Sequence, residues 1–308
     1  MGSFEILRGW ETGQIAAILN KVSGGDRKKL EAILQDEVEV NLVERVLKLA
    51  DKNGRIIPSK DLENAARDPN KNFHLIQPQF KIIDDYAGRL VRFQESFKEG
   101  PVMSAADFEG RSNQLIAEIK NNKNLANLLN GVYLPIILPR VPSFTDYGET
   151  LEKVFLPAVK FSYEKQFPDR KFYNYRKNEL SGKIIIVSGV RHDKLIERIK
   201  HDFLVAIYFP NPFQGFSVSA SREQMATFPE SLVLSGGFDT ASAMAIYPDV
   251  LARDWNTPGY DLSTLAWQSP GYSLYFEAYD DRLYFYDRGY LGFAFGDYSS
   301  GLLFLGSA

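Results

Sequence analysis

The hydrophobic pattern of this 308-residue chain changes at Gly131, and this change most limits the folds available to it. Before Gly131, apolar residues recur three and four positions apart between Asn, Gly and Pro residues, a pattern typical of short amphipathic helices. After it, short apolar runs alternate with helical stretches, and beyond Pro258 apolar and polar residues alternate one by one, as in strands. The sequence therefore predicts an α+β fold.

The same change predicts two domains. Residues 1–130 are expected to form an all-helical domain, and residues 131–308 a mixed α/β domain that ends in a Tyr-rich antiparallel β meander. Alternating strands and helices over 132–247 favour a partly parallel sheet, and Pro157 is expected to divide the helix over 150–166. Helices are also predicted over 42–50, 61–67, 79–98 and 113–130, and strands over 132–138, 183–188, 203–209, 232–234, 274–279, 283–286 and 291–295.

Composition narrows the class of protein. The chain contains no cysteine, which excludes disulfides, Cys-ligated zinc and a Cys nucleophile. Glu5 and Arg8 interrupt the amino terminus, so no signal peptide is expected. No apolar run approaches the ~20 residues that span a bilayer. We therefore expect a soluble, cytoplasmic protein with no membrane partner.

Residues 232–240 carry the sharpest motif, Leu-Val-Leu-Ser-Gly-Gly-Phe-Asp-Thr, in which a strand enters a glycine turn and then a helix. Such turns can bind a phosphate. Glycines let the backbone come close to the phosphate, and the free amides at the start of a helix attract an anion. The string resembles the pyrophosphate-binding loop of the N-type ATP pyrophosphatases. The resemblance implies that an ATP pyrophosphate is held by Ser235, Gly236, Gly237, Asp239 and Thr240.

A tight turn with Asp239 as helix N-cap explains the same residues without a ligand. The basic residues nearest in sequence are Arg222 and Arg253, and residues 201–308 carry four Lys and Arg against 12 Asp and Glu. We therefore expect a covered or acidic turn with no nucleotide site, and a protein that uses no cofactor. A nucleotide- or phosphate-dependent enzyme is the alternative.

Residues 160–177 interleave six basic residues with six aromatic rings. Cations that neutralise phosphates beside rings that stack on bases are what binding of single-stranded nucleic acid requires. The alternative is a helix end and a half-buried loop whose rings join the core. The residues expected to contact nucleic acid are Arg170, Lys171, Tyr173, Tyr175, Arg176 and Lys177.

The chain has three histidines, and no metal site is expected from them. His192 shares a helical face with Leu195, Ile196 and Ile199, so we expect it to be buried in the core. A catalytic dyad of His192 with Ser188 or Ser235 is left open, and the catalytic residues are unknown. Residues 49–60 have the outline of a calcium loop, but its first and last ligand positions hold Leu and Lys, which excludes calcium.

Fourteen of the last 49 residues are aromatic, which raises the question of what the outer face of the meander does. One interpretation is a flat surface for protein or carbohydrate contact. The other is a sheet covered on both faces. The tyrosines concerned are Tyr275, Tyr279, Tyr284 and Tyr286.

The strings over 211–254 and 298–306 resemble a family of uncharacterised hypothetical proteins from candidate-phyla, Patescibacteria-like bacteria. The resemblance implies a bacterial, intracellular protein and implies no activity. We expect a non-catalytic binding or interaction protein with an unidentified protein partner. The alternatives are the phosphate-dependent enzyme and the binder of single-stranded nucleic acid.

Overall fold

The computed structural model describes residues 12–35, 48–67, 85–100 and 102–306. The chain forms two compact units, residues 1–46 and 47–308. In the first unit, helices α1 (Thr12–Ser23) and α2 (Arg27–Leu34) are joined at Gly24 and Gly25. Both glycines have positive φ angles, which side chains other than hydrogen disfavour. Asp26 then caps α2 by accepting the Lys28 amide.

The second unit contains the remaining helices and all the described strands. A π-helical turn, Leu151–Phe155, joins α5 to α6. None of the helices in the described part of the chain has the length and apolar character needed to cross a membrane. The helices are α3 (Tyr86–Phe97), α4 (Ala105–Asn121), α5 (Tyr147–Thr150), α6 (Leu156–Gln166), α7 (His192–His201), α8 (Val218–Gln224), α9 (Gly237–Ile246) and α10 (Pro248–Leu251).

The strands of the second unit form three sheets. Their order is β1-β4-β11-β5 in the first sheet, β10-β6-β8-β9-β2 in the second, and β3-β7 in a small third sheet. The strands are β1 (Leu134–Leu138), β2 (Lys171–Asn174), β3 (Ile184–Ile186), β4 (Leu204–Phe209), β5 (Leu232–Leu234), β6 (Gly259–Asp261), β7 (Leu265–Trp267), β8 (Ser273–Ala278), β9 (Arg282–Arg288), β10 (Tyr298–Ser300) and β11 (Leu302–Phe304).

The first sheet is antiparallel between all neighbours, which corrects the partly parallel sheet expected from the sequence. Strands β4 and β5 do run parallel to each other, since both are antiparallel to β11. The carboxyl-terminal strand β11 lies between them, so they do not pair directly. In the second sheet β6, β8 and β9 form the antiparallel centre, and the edge strands β10 and β2 are parallel to their neighbours.

Helix α9 lies at the centre of the core, and all ten of its residues are buried. Three Ala residues and Ser242 give it small side chains, which lets α3, α6 and β1 pack closely around it. Phe238 lies between the Tyr147 ring, at 4.0 Å, and the Phe155 ring, at 4.3 Å, with both pairs stacked. The strand-rich part of the chain is therefore assembled around a buried helix.

The boundary predicted at Gly131 does not coincide with the division into compact units. Phe93 and Phe108 belong to the same hydrophobic core as Phe155 and Phe238. The backbone before the boundary also packs on it, since a Cβ at Gly54 would lie 2.4 Å from the Gly131 amide nitrogen. Residues 48–67 and 85–130 are thus integrated with the sheets by shared apolar burial.

Two predicted elements are absent where the structure describes all of their residues, and a third is described only at its end. Residues 61–67 form no helix, because Ala66 instead bridges Phe216. Ala50, at the end of the helix predicted over 42–50, bridges Ile56, and residues 42–47 lie outside the described residues. Residues 291–295 form no strand, because the edge of β9 that such a strand would need is occupied by β2.

Candidate functional site

The glycine turn between β5 and α9 is closed by its own side chains. Helix α9 begins at Gly237 with Gly236 as its N-cap. The Asp239 carboxylate accepts the Gly236 amide at 2.9 Å and the Ser235 hydroxyl at 2.6 Å. Asp239 therefore occupies the third helical position, which corrects the expectation that it is the N-cap. Glycine is required at 236 because a Cβ there would lie 2.6 Å from Cε1 of His192.

Tyr147 covers the same turn from outside. Its hydroxyl accepts the Gly237 amide at 2.9 Å and the Phe238 amide at 3.3 Å. With the Gly236 amide held by Asp239, the amides at the helix start are already engaged. The turn is thus covered, as expected. No free amide of Gly236, Gly237 or Phe238 remains for a pyrophosphate, and the side chains expected to hold one are at most 1% exposed: Ser235, Asp239 and Thr240.

His192 is buried, which confirms its expected place in the core. Its Nε2 lies 2.9 Å from the Tyr147 hydroxyl, whereas Ser235 is hydrogen-bonded to Asp239 and Thr240. The structure therefore pairs His192 with a tyrosine and not with Ser235. Burial lowers the pKa of His192 to about 3, so its ring is neutral at physiological pH.

Asp239 is the second buried titratable group of the closed turn. Burial raises its pKa to about 7, although hydrogen bonds from Ser235 and from backbone amides favour the charged form. The described residues contain no group of three His, Asp or Glu side chains arranged to hold a metal ion. The polar cluster around Asp239 and His192 is accordingly part of the core.

Within the described part of the chain, the second sheet has one buried face and one open face, so it is not covered on both faces. On the buried face lie Phe172, Phe276 and Phe285. On the other face, β2 pairs with β9 so that Tyr173 lies opposite Tyr284, and β8 pairs with β9 so that Tyr275 lies opposite Tyr286. We call the following residues the tyrosine face: Tyr173, Tyr175, Tyr275, Tyr279, Tyr284 and Tyr286.

The rings of the tyrosine face contact one another. The Tyr173 and Tyr175 rings are stacked, with centroids 6.1 Å apart, and Tyr175 meets Tyr286 edge-on at 5.5 Å. Tyr279 stacks on Tyr284 at 5.5 Å. Tyr173, Tyr175 and Tyr279 are 45%, 50% and 42% exposed, whereas Tyr275 is buried beneath its neighbours. The result is a continuous aromatic surface that is open to solvent.

Glu277 anchors the tyrosine face from within the sheet. Its carboxylate accepts hydrogen bonds from the Tyr284 hydroxyl and, at 2.7 Å, from the Tyr298 hydroxyl. Burial, together with this carboxylate, raises the pKa of Tyr284 and of Tyr298 well above the ordinary tyrosine range. Both phenols therefore stay neutral donors, and the rings are held in fixed positions.

The two arginines expected to contact nucleic acid are engaged in internal contacts. Arg176 forms an ion pair with Asp287 and lies over the Tyr286 ring at 4.4 Å. Arg170 lies over the Phe167 ring at 4.4 Å and donates to a backbone carbonyl. Of the predicted contact residues, the structure leaves exposed Lys171, Tyr173, Tyr175 and Lys177.

Residues 160–177 and the Tyr-rich meander are separate motifs in the sequence. The parallel pairing of β2 with β9 brings them together in one surface. A signal for this exists in the sequence, because Lys171, Tyr173 and Tyr175 alternate with Phe172 and Asn174 at the period of a strand. Comparison with protein-family models, with curated proteins and with solved structures finds no match for this chain. The function is therefore argued from the geometry of this surface.

Proposed function

We propose that the protein is a non-catalytic binding protein that recognises its partner through the tyrosine face. The observation that carries the proposal is the open, mutually contacting ring surface formed by β2, β8 and β9. Tyrosine is enriched at recognition surfaces, because its ring buries a large apolar area and its hydroxyl still makes hydrogen bonds. A sheet whose other face buries Phe172, Phe276 and Phe285 provides a rigid support for such contacts.

The tyrosine face is ordered before any partner binds. Glu277 holds two phenols, and Arg176 clamps Tyr286 and Asp287 of β9 to the end of β2. Side chains that are already fixed lose little conformational entropy on association, so more of the contact energy appears as affinity. This arrangement supports binding as the role of the face.

The closed turn favours this proposal over the phosphate-dependent enzyme. Asp239 and His192 have the acid–base character that catalysis uses, but both are fully buried. A reactant would have to displace the Tyr147 hydroxyl from two backbone amides to reach them. Leaving those amides unpaired in the core costs about 1–3 kcal/mol each.

The bacterial origin and cytoplasmic location expected from the sequence are part of the same proposal. They rest on the resemblance of residues 211–254 and 298–306 to hypothetical proteins of candidate-phyla bacteria. The absence of cysteine is compatible with a reducing compartment. Immunofluorescence or cell fractionation with an antibody to the protein would test this location.

The binding role is tested by probing the protein against three immobilised panels: glycans, proline-rich and tyrosine-rich peptides, and 20-nucleotide oligonucleotides. We expect retention on members of one panel, and loss of that retention in the Tyr173→Ala/Tyr175→Ala variant. Tyr290→Ala is the matched control, because Tyr290 is 90% exposed and makes no ring contact within the described structure. Retention on none of the panels, or retention that the double variant leaves unchanged, would contradict the proposal.

A further inference from the structure

A groove of about 450 Å³ runs along the outer edge of β2, next to the tyrosine face. One wall is the π-helical turn and the start of α6, and the other is β2 with the residues that follow it. Among the described residues, β2 is the last strand of its sheet, and no further strand pairs with this side of it. The groove is lined on both walls by lysines: Lys153 and Lys160 on the helical wall, and Lys177 on the strand wall.

The groove has cationic groups available to a ligand. Lys153 and Lys160 pair with Glu149 and Glu164 four residues away on the same helical segments. Such exposed pairs are worth little, so a phosphate can replace the carboxylate as a partner. Lys177 forms no salt bridge within the described part of the chain. The one acidic residue of the lining, Glu152, already accepts the Asn178 amide.

The groove and the tyrosine face share strand β2. Its residues alternate, so Phe172 and Asn174 line the groove, while Lys171 and Tyr173 lie exposed on the tyrosine face. The stacked ring of Tyr175 continues that face beyond the strand. The lysines of the groove and the exposed rings therefore lie on the two sides of the same edge strand.

We infer that this combined surface binds single-stranded nucleic acid, with phosphates along the lysines of the groove and bases stacked on Tyr173 and Tyr175. The inference rests on the proposed function and names its partner class. Cations that follow a backbone and rings that stack on unpaired bases are the two components of such sites. An acidic peptide would use the lysines and leave the rings idle, and a neutral glycan would do the reverse.

The test is fluorescence anisotropy of the full chain with fluorescein-labelled dT20 and rU20, from 50 to 200 mM salt. Four phosphate contacts, through Lys153, Lys160, Lys171 and Lys177, predict that log K falls with log salt at a slope of about −3. The comparison of dT20 with rU20 shows whether the natural ligand is DNA or RNA. Inorganic polyphosphate is the third probe, because it carries the charge of a nucleic acid without bases.

Two variants separate the components of the surface. Lys153→Gln/Lys177→Gln should weaken binding at 50 mM salt and make the slope shallower by about 1.4. Tyr173→Ala/Tyr175→Ala should weaken binding at least about fivefold for each ring, with little change in slope. The charge-matched control is Lys120→Gln/Lys123→Gln, on exposed residues that do not line the groove. Circular dichroism checks that each variant is folded.

Each outcome bears on one proposal or the other. Loss of oligonucleotide binding in both test variants, with the control unchanged, supports the inference. No binding of dT20 or rU20 at 50 mM salt overturns the inference. The binding role of the tyrosine face survives that result if the protein is retained on the glycan or the peptide panel. An equal loss of oligonucleotide binding in the charge-matched control would show nonspecific electrostatic attraction, and it also overturns the inference. Oligonucleotide binding that the tyrosine variant leaves unchanged, and that polyphosphate matches in affinity, shows a groove that binds anions without contacting bases, and also overturns the inference.

Discussion

At the residue scale, the closed turn depends on side chains packed so closely that a larger residue at Gly236 does not fit. Gly236 lies against the His192 ring and the Tyr147 hydroxyl, and Asp239 holds the turn from inside. His192 was expected to be buried from its helical spacing, since one apolar stripe must face the core. The contact between its ring nitrogen and Tyr147, 45 residues earlier, could not be predicted. Local periodicity carries no information about partners that are distant in the chain.

The first residue-scale prediction concerns Gly236. Gly236→Ala should lower the free energy of unfolding by about 1–3 kcal/mol, because the ring it would strike is held in a packed core. Urea unfolding followed by circular dichroism measures this. Gly110→Ala is the control, since Gly110 lies within α4 and has no atom within 4 Å of an added Cβ. In that variant the free energy of unfolding should rise by about 0.5–1 kcal/mol. Equal effects at the two sites would contradict this prediction.

The second residue-scale prediction concerns Asp239. Its pKa is about 7 in the folded protein, against 3.8 for an ordinary Asp, so the folded state holds the proton more tightly. The protonated Asp239 side chain therefore stabilises the folded protein at low pH, and this contribution is lost as the pH rises from about 4 through 7. Relative to Asp239→Asn, the wild-type protein should lose up to about 4 kcal/mol between pH 4 and 8. Urea unfolding of both proteins at several pH values tests this, and a constant difference would contradict it.

At the element scale, the decisive feature is the parallel pairing of β2 with β9. The period-two alternation over residues 171–175 is present in the sequence, but five residues are too few to separate a strand from a loop. Strand β2 then fills the edge of β9 that residues 291–295 were expected to occupy. Which of two candidate strands pairs with β9 is decided by packing in three dimensions and not by propensity.

The element-scale prediction concerns the clamp between β2 and β9. Arg176→Ala should destabilise the protein by about 3–5 kcal/mol, because it leaves the carboxylate of Asp287, only 10% exposed, without its partner. It should also speed hydrogen exchange of the Tyr175 amide, which donates to Phe285 at the end of the pairing. The double variant Arg176→Ala/Asp287→Ala should recover part of the loss. A double variant no more stable than Arg176→Ala would contradict the clamp.

At the scale of the whole molecule, one core joins segments that the sequence assigns to different domains. Helices α3 and α4 contribute Phe93 and Phe108 to the core that surrounds α9. The helical periodicity before Gly131 predicts a separate helical domain over residues 1–130. Periodicity shows which face of a helix is buried and does not show what covers that face.

The whole-molecule prediction follows from this shared core. A chain of residues 47–308 should unfold in urea with a single cooperative transition, because it contains the complete second unit. A chain of residues 131–308 should be unfolded or form a loosely packed state, because it lacks the buried rings of Phe93 and Phe108. Near-ultraviolet circular dichroism and urea titration distinguish the two. Cooperative unfolding of residues 131–308 would restore the boundary at Gly131.

The sequence by itself determined the α+β class, most of the helices and strands after Gly131 and the burial of His192. These properties depend on local periodicity and on residues close together in the chain. Only the tertiary structure decided that Tyr147 covers the glycine turn, that Tyr173 lies beside Tyr284, that β11 separates β4 from β5, and that α3 and α4 belong to the main core. Strand order, edges and shared cores depend on which distant apolar surfaces pack together, and that choice is made by the whole chain at once.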